Sequence, residues 1–94
     1  MTVTYSAEAE ADLDAIGVYT WTTWGQAQYA KYLATLRECC EQVVPRLKHV
    51  REVEGFAGLF SCRCEHRVVY FTASDAGVRI ERILHERMLP SRHL

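Results

Sequence analysis

Four arginines, one histidine and one glutamate in the second half of the chain are the residues whose chemistry stands out. They are Arg63, Arg67, Arg82, Arg87, His85 and Glu86. Guanidinium groups pair phosphate oxygens bidentately, and a histidine or glutamate beside them supplies proton transfer. Together they meet the minimum for phosphodiester cleavage by a neighbouring hydroxyl: a base, an acid and cations on the phosphate. The same six residues could also make a binding surface, where arginine is a favoured hot-spot residue. Arg92 and His93 extend the cationic cluster into the tail. Structural roles compete with the functional ones. Arg82 could pair with Glu81 or Glu65 on a sheet, and His85 could close a sheet end through hydrogen bonds.

Cys62, Cys64 and His66 alternate along one candidate strand, as a metal site might. Three such positions span about 13 Å, whereas ligands on one zinc lie within about 4 Å of each other. Cys39 and Cys40 are adjacent and point roughly 100° apart on a helix. No CxxC spacing occurs. The expectation is four reduced structural thiols, no metal, no disulfide and no cofactor.

The elements that carry these residues follow from two periodicities. Val3-Thr4-Tyr5 is a short β-favouring run, and Ser6 is a helix N-cap followed by Glu8, Glu10 and Asp12. Leu13, Ile16, Thr20 and Trp24 recur with helical spacing up to Gly25. Tyr29, Leu33, Leu36, Cys40 and Val43 mark a second helix, which Pro45 should end near Val43 or Val44. The two helices form an antiparallel hairpin. Trp21 and Trp24 lie three apart and share a face, as packing within the hairpin would require.

After a charged connection holding Gly55 and Gly58 the spacing becomes that of strands. Leu59–Cys64, Arg67–Thr72 and Val78–Leu84 are the candidates, with a turn at Asp75-Ala76-Gly77. Arg67–Thr72 should be central, given its β-branched and aromatic density. Ile83 falls out of phase with Val78 and Ile80, which calls for a bulge or for two covered faces. The reading is one α+β domain over residues 1–94: a short strand, a helical hairpin, then a three-stranded antiparallel meander.

Composition narrows the classes. Of the hydrophobic and charged fractions, 49% and 24% suit a globular fold. No run is apolar enough to cross a bilayer, and the N-terminus lacks a basic and apolar leader, so the cytoplasm is expected. Residues 1–44 carry two basic and six acidic side chains, whereas residues 45–94 carry nine basic and six acidic. The second half is the one suited to an anionic partner.

Ala9-Glu10-Ala11-Asp12-Leu13-Asp14-Ala15-Ile16 with Tyr19 resembles the A-x-x-D-L-x-x-I-x-x-Y opening of the RelE/ParE toxins. Gly25-Gln26-Ala27 with Tyr29 and Tyr32, Arg67-Val68-Val69-Tyr70, and above all Arg82-Ile83-Leu84-His85-Glu86-Arg87-Met88 resemble later motifs of that superfamily, the last matching its ParE branch. The resemblance covers nearly the whole chain. It implies the RelE/ParE fold and a toxin held inactive, in a hetero-oligomer, by a ParD-like antitoxin. ParE-like members poison DNA gyrase; RelE-like members are ribosome-dependent mRNA endonucleases. The latter place lysines on the strand corresponding to Leu59–Cys64, where this chain has only Arg63. A non-enzymatic gyrase inhibitor is therefore expected, with no catalytic residues and no sequence-specific DNA binding of its own. Arg63, Arg67, Arg82, His85, Arg87, Arg92 and His93 would form its target surface. As a nuclease it would use Arg67, His85, Glu86 and Arg87. A degenerate toxin that only binds antitoxin is a third possibility. Trp21, Trp24, Tyr29 and Tyr32 would line the groove where an antitoxin segment folds on binding.

Overall fold

The computed structural model of the protein describes residues 2–47 and 50–94. Strand β1 (Thr2–Tyr5) leads into helices α1 (Ala7–Trp24) and α2 (Gln26–Glu38). Ser6 caps α1 as its sequence position requires: its Oγ accepts the Ala9 N–H at 3.0 Å and donates to the Glu81 carbonyl at 2.7 Å. Gly25 alone joins the helices. Its φ of 91° is open to glycine at no steric cost, and its N–H donates to the Trp21 carbonyl.

The end of the hairpin is less regular than a simple stop at Pro45. Proline has no N–H with which to continue the α-helical ladder. The chain instead widens into a π-helical turn over Cys39–Val43, then tightens into a 3-10 turn over Val44–Arg46. Four further strands follow: β2 (Arg51–Glu52), β3 (Phe60–Cys64), β4 (Arg67–Ser74) and β5 (Gly77–His85), with a single-turn helix α3 at Pro90–His93.

The sheet order is β1-β5-β4-β3-β2, so the expected meander is present and β4 is its central strand. The sheet has five strands because each edge gains one. The two-residue β2 pairs antiparallel with β3, in the segment read as a connection. On the other side β1 pairs parallel with β5, Val3 opposite Val78 and Tyr5 opposite Ile80. The phase break in β5 is a bulge: Phe71 pairs with Ile80 and Tyr70 with Arg82, which leaves Glu81 as the extra residue.

One sheet face packs on the hairpin. Ala9, Leu13, Ile16, Leu36 and Cys40 meet Val69, Phe71, Val78, Ile80 and Ile83 there, all essentially buried. Each large side chain removed from water contributes about 1.5–3 kcal/mol. A smaller cluster of Leu59, Tyr70 and Leu84 lies on the opposite face, beneath Val53, Phe56 and Leu94. Both faces are thus covered at the β4–β5 centre. No helix among the described residues is long and apolar enough to cross a membrane.

Candidate functional site

The site takes shape where β5 runs past the end of β1. Beyond Tyr5 the edge of β5 has no strand partner, and a helix residue takes that place. Asp12 accepts the Ile83 N–H at 2.9 Å, and it holds Arg82 Nε at 2.8 Å and Nη2 at 3.0 Å. The Arg82 guanidinium also donates to the His93 carbonyl, so one side chain links α1, β5 and the tail. Charge-assisted bonds to Asp12 push the Arg82 pKa upward. Arg82 is therefore a structural clamp with Asp12 as its partner, in place of Glu81 or Glu65. Glu81 bonds Thr72 at 2.9 Å and lies 3.6 Å from Arg79. This commitment removes most of Arg82 from the expected target surface.

Next to this clamp, α1, α2 and the ends of β4 and β5 enclose a groove of about 650 Å³. Ile16, Tyr19, Trp24, Tyr32, Arg67 and His85 are among its walls, with His66 and Met88 at its end. Arg67 and His85 face each other across the β4–β5 ladder, and Arg67 Nε donates to the Tyr32 hydroxyl at 3.4 Å. The sequence separates Tyr32, Arg67 and His85 into an antitoxin surface and a target surface, and the fold places them in one groove. The backbone N–H of Arg87 donates to His85 Nδ1 at 3.2 Å, so the neutral ring carries its proton on Nε2.

The remaining candidates lie elsewhere. Glu86 is held by Arg63, with His66 Nδ1 3.7 Å away. Arg87, Arg92 and His93 are exposed at the tail, and among the described residues neither Arg87 nor Arg92 has an ion-pair partner. Of the two tryptophans, Trp21 packs within the hairpin as expected while staying 49% exposed, whereas Trp24, 68% exposed, departs from that role. They also serve different surfaces. Trp24 belongs to the groove, whereas Trp21 stacks edge-on against Tyr29, 5.2 Å between centroids, over a shallower hollow between the helices.

The cysteines give a second correction. Cys39 and Cys64, expected as reduced thiols, are joined in a disulfide with Cα atoms 6.4 Å apart. Cys62 is free, and its sulfur lies within 4.8 Å of both. His66 lies in the turn after β3 and outside this cluster. Strand spacing overestimates the separation of the Cys62 and Cys64 sulfurs and is blind to Cys39, which arrives from the π-helical turn. Cys40 is buried, which pushes its thiol from 9.0 up to about 11, and burial also raises Cys62. Near them the Tyr5 hydroxyl donates to Glu41 at 2.8 Å; burial and that bond raise its pKa well above the ordinary value.

Comparison with known proteins follows the same outline. The chain is 42% identical over 86 residues to Toxin ParE of Escherichia coli, covering 88% of this chain and 82% of the relative. It is 34% identical over 92 residues to Toxin ParE1 of Caulobacter vibrioides, covering 95% and 93%. Among solved structures, the chromosomal ParDE system of P. aeruginosa superposes with a TM-score of 0.72 at 18% identity, covering 90% of this chain and 95% of the other. The RelBE2 toxin–antitoxin complex of Mycobacterium tuberculosis gives 0.67 at 22%, covering 89% and 88%; both show a shared fold. Residues 3–90 match the family described as the ParE toxin of type II toxin–antitoxin systems, and the chain belongs to that family.

Proposed function

We propose that the protein inhibits DNA gyrase by binding it, without catalysing a reaction, and that a ParD-like antitoxin segment neutralises it by occupying the groove beside Arg67 and His85. One observation carries the non-enzymatic reading. Asp12, which shares the groove with His85, is engaged by Arg82, and Glu86, the next residue in the chain, by Arg63. A histidine with no free acid or base beside it is poorly placed for paired proton transfer. The absence of lysine from the described strands points the same way. The gyrase surface is then Arg67 and His85 at the groove with Arg87, Arg92 and His93 on the tail, and Arg63 at its margin.

Trp24 and Tyr32 offer the antitoxin an apolar wall on that same groove, with Trp21 and Tyr29 on the neighbouring hollow. An antitoxin that folds onto this wall would cover the cationic residues directly, so neutralisation needs no conformational change in the toxin. A cytoplasmic toxin–antitoxin hetero-oligomer is the assembly this implies.

The juxtaposition of Arg67 with His85 favours a second reading, ribosome-dependent mRNA cleavage. Purified toxin decides between them. Inhibition of supercoiling with accumulation of cleaved DNA–gyrase complexes, and intact ribosome-bound mRNA, is the expected result. Cleaved mRNA with unaffected gyrase overturns it. His85→Gln sharpens the contrast. It costs a nuclease about 10²–10⁴ in rate, whereas a binding surface loses only about 1–3 kcal/mol.

A further inference from the structure

The Cys39, Cys62 and Cys64 sulfurs converge from two elements that are distant in sequence. Cys62 and Cys64 share the hairpin-facing side of β3, and Cys39 descends onto them from the π-helical turn. All three lie within 4.8 Å of one another. The groove and the clamp between Asp12 and Arg82 use none of them. Cys64 is buried and the other two are half-buried, so a small ion can reach the cluster while its donors are shielded from bulk water.

We propose that the reduced protein binds one soft, thiophilic cation through Cys39, Cys62 and Cys64. Sulfurs on one metal with bonds near 2.3 Å stand about 3.8–4 Å apart in trigonal or tetrahedral geometry. Cys62 already stands at a compatible range from both partners. Opening the Cys39–Cys64 bond asks only that those two sulfurs separate by rotation about their side chains. Thiolates select copper(I) and zinc over oxygen-seeking ions such as magnesium and calcium. The disulfide and the bound ion are mutually exclusive. A dithiol converts the disulfide to two thiols by handing over its two protons, and is oxidised to its own disulfide. A phosphine does so by taking oxygen from water, which supplies the two protons, and is oxidised to its oxide. The metal then displaces protons from the three thiols.

Two elements become linked through the ion as they are through the disulfide. The chain therefore has two interchangeable ways of fastening the end of the hairpin to β3. The disulfide uses two cysteines and leaves Cys62 idle; the ion uses all three. That difference makes the proposal testable.

Protein reduced with a phosphine is titrated with zinc(II), and separately with copper(I), each against a chromophoric chelator. One equivalent of at least one ion should be retained per chain. Cadmium(II) used as a probe should give the near-ultraviolet thiolate-to-metal charge-transfer band. Cys62→Ser should weaken binding by more than about 100-fold, beyond the ~10–100-fold typical of losing a group that merely supports a ligand. It should still form the Cys39–Cys64 disulfide on oxidation, which shows that the variant folds. Cys40→Ser should bind as the parent does. Failure of the reduced parent to retain either ion overturns the proposal. So does unchanged affinity in Cys62→Ser, or loss of binding in Cys40→Ser alone.

Discussion

Replacing Asp12 by alanine tests the clamp where the whole molecule depends on it. The carboxylate accepts three N–H groups from Arg82 and Ile83, and the side chains of Asp12 and Arg82 are only 15% and 23% exposed. Removing it leaves the Ile83 N–H without a partner, worth about 1–3 kcal/mol. It also leaves a partly buried guanidinium uncompensated, which in a fully buried pair costs about 3–5 kcal/mol. The His93 carbonyl and residual solvent access reduce that second contribution, so the net loss should be about 2–4 kcal/mol. For a chain of this size total stability is on the order of 5–14 kcal/mol. A loss of 3 kcal/mol would lower Tm by roughly 12–24 °C. Urea unfolding of Asp12→Ala, Arg82→Met and the double variant closes the cycle. The two single losses should overlap strongly, with a coupling above about 1.5 kcal/mol, since each removes the other's partner. Glu10→Ala is the control. Its contact with Arg37 is 3.9 Å long and half-exposed, so it should cost under ~0.5 kcal/mol. A coupling within the ~0.3–0.5 kcal/mol scatter of independent sites would refute the clamp.

Gly77→Ala should detach β1, because a Cβ built there would stand 2.0 Å from the Thr2 carbonyl oxygen at a φ of 139°; a loss on the order of 2–4 kcal/mol is expected by thermal denaturation. Trp24→Ala should leave thermal stability almost unchanged, since the side chain is 68% exposed, yet weaken ParD-like antitoxin binding by ~2 kcal/mol or more in calorimetry. Burial favours the protonated forms of Cys40 and Tyr5, so both bind protons more tightly folded than unfolded. Stability should be undiminished below pH 9.0 and fall as pH rises through about 11, with Cys40→Ala flattening the first part of that decline in urea midpoints.

The α+β order, the Ser6 cap, the turn at Gly25, the central β4 and the bulge in β5 were all legible in the sequence. Each is fixed by local patterning, which a linear reading can follow. What stayed hidden depends on contacts between residues far apart in the chain. Asp12 reaches Arg82 across 70 positions, and β1 reaches β5 across about as many. Cys39 meets Cys62 and Cys64 only because the π-helical turn rotates it onto β3. The two-residue β2 is too short to leave an alternating pattern. For Arg82 the sequence points to Glu81 or Glu65, because its true partner, Asp12, meets it only at the free edge of β5. The exposure of Trp24 was not legible, because helical spacing says nothing of which way a face turns.

The parallel pairing of β1 with β5 also sets an order of events during synthesis. Thr2–Tyr5 leave the ribosome early, but Gly77–Ile80, which they must flank, follow 75 residues later. At ~5–20 residues per second that is a wait of roughly 4–15 s. The helical hairpin, whose contacts are local, can form within microseconds of emerging. From the completion of the hairpin until the strands follow, it presents Leu13, Ile16, Leu36 and Cys40 with no sheet to cover them. The nascent toxin is therefore at its stickiest before it has the strand that carries His85. Whatever first captures that bare face, whether chaperone or antitoxin, meets a chain whose sheet is still incomplete.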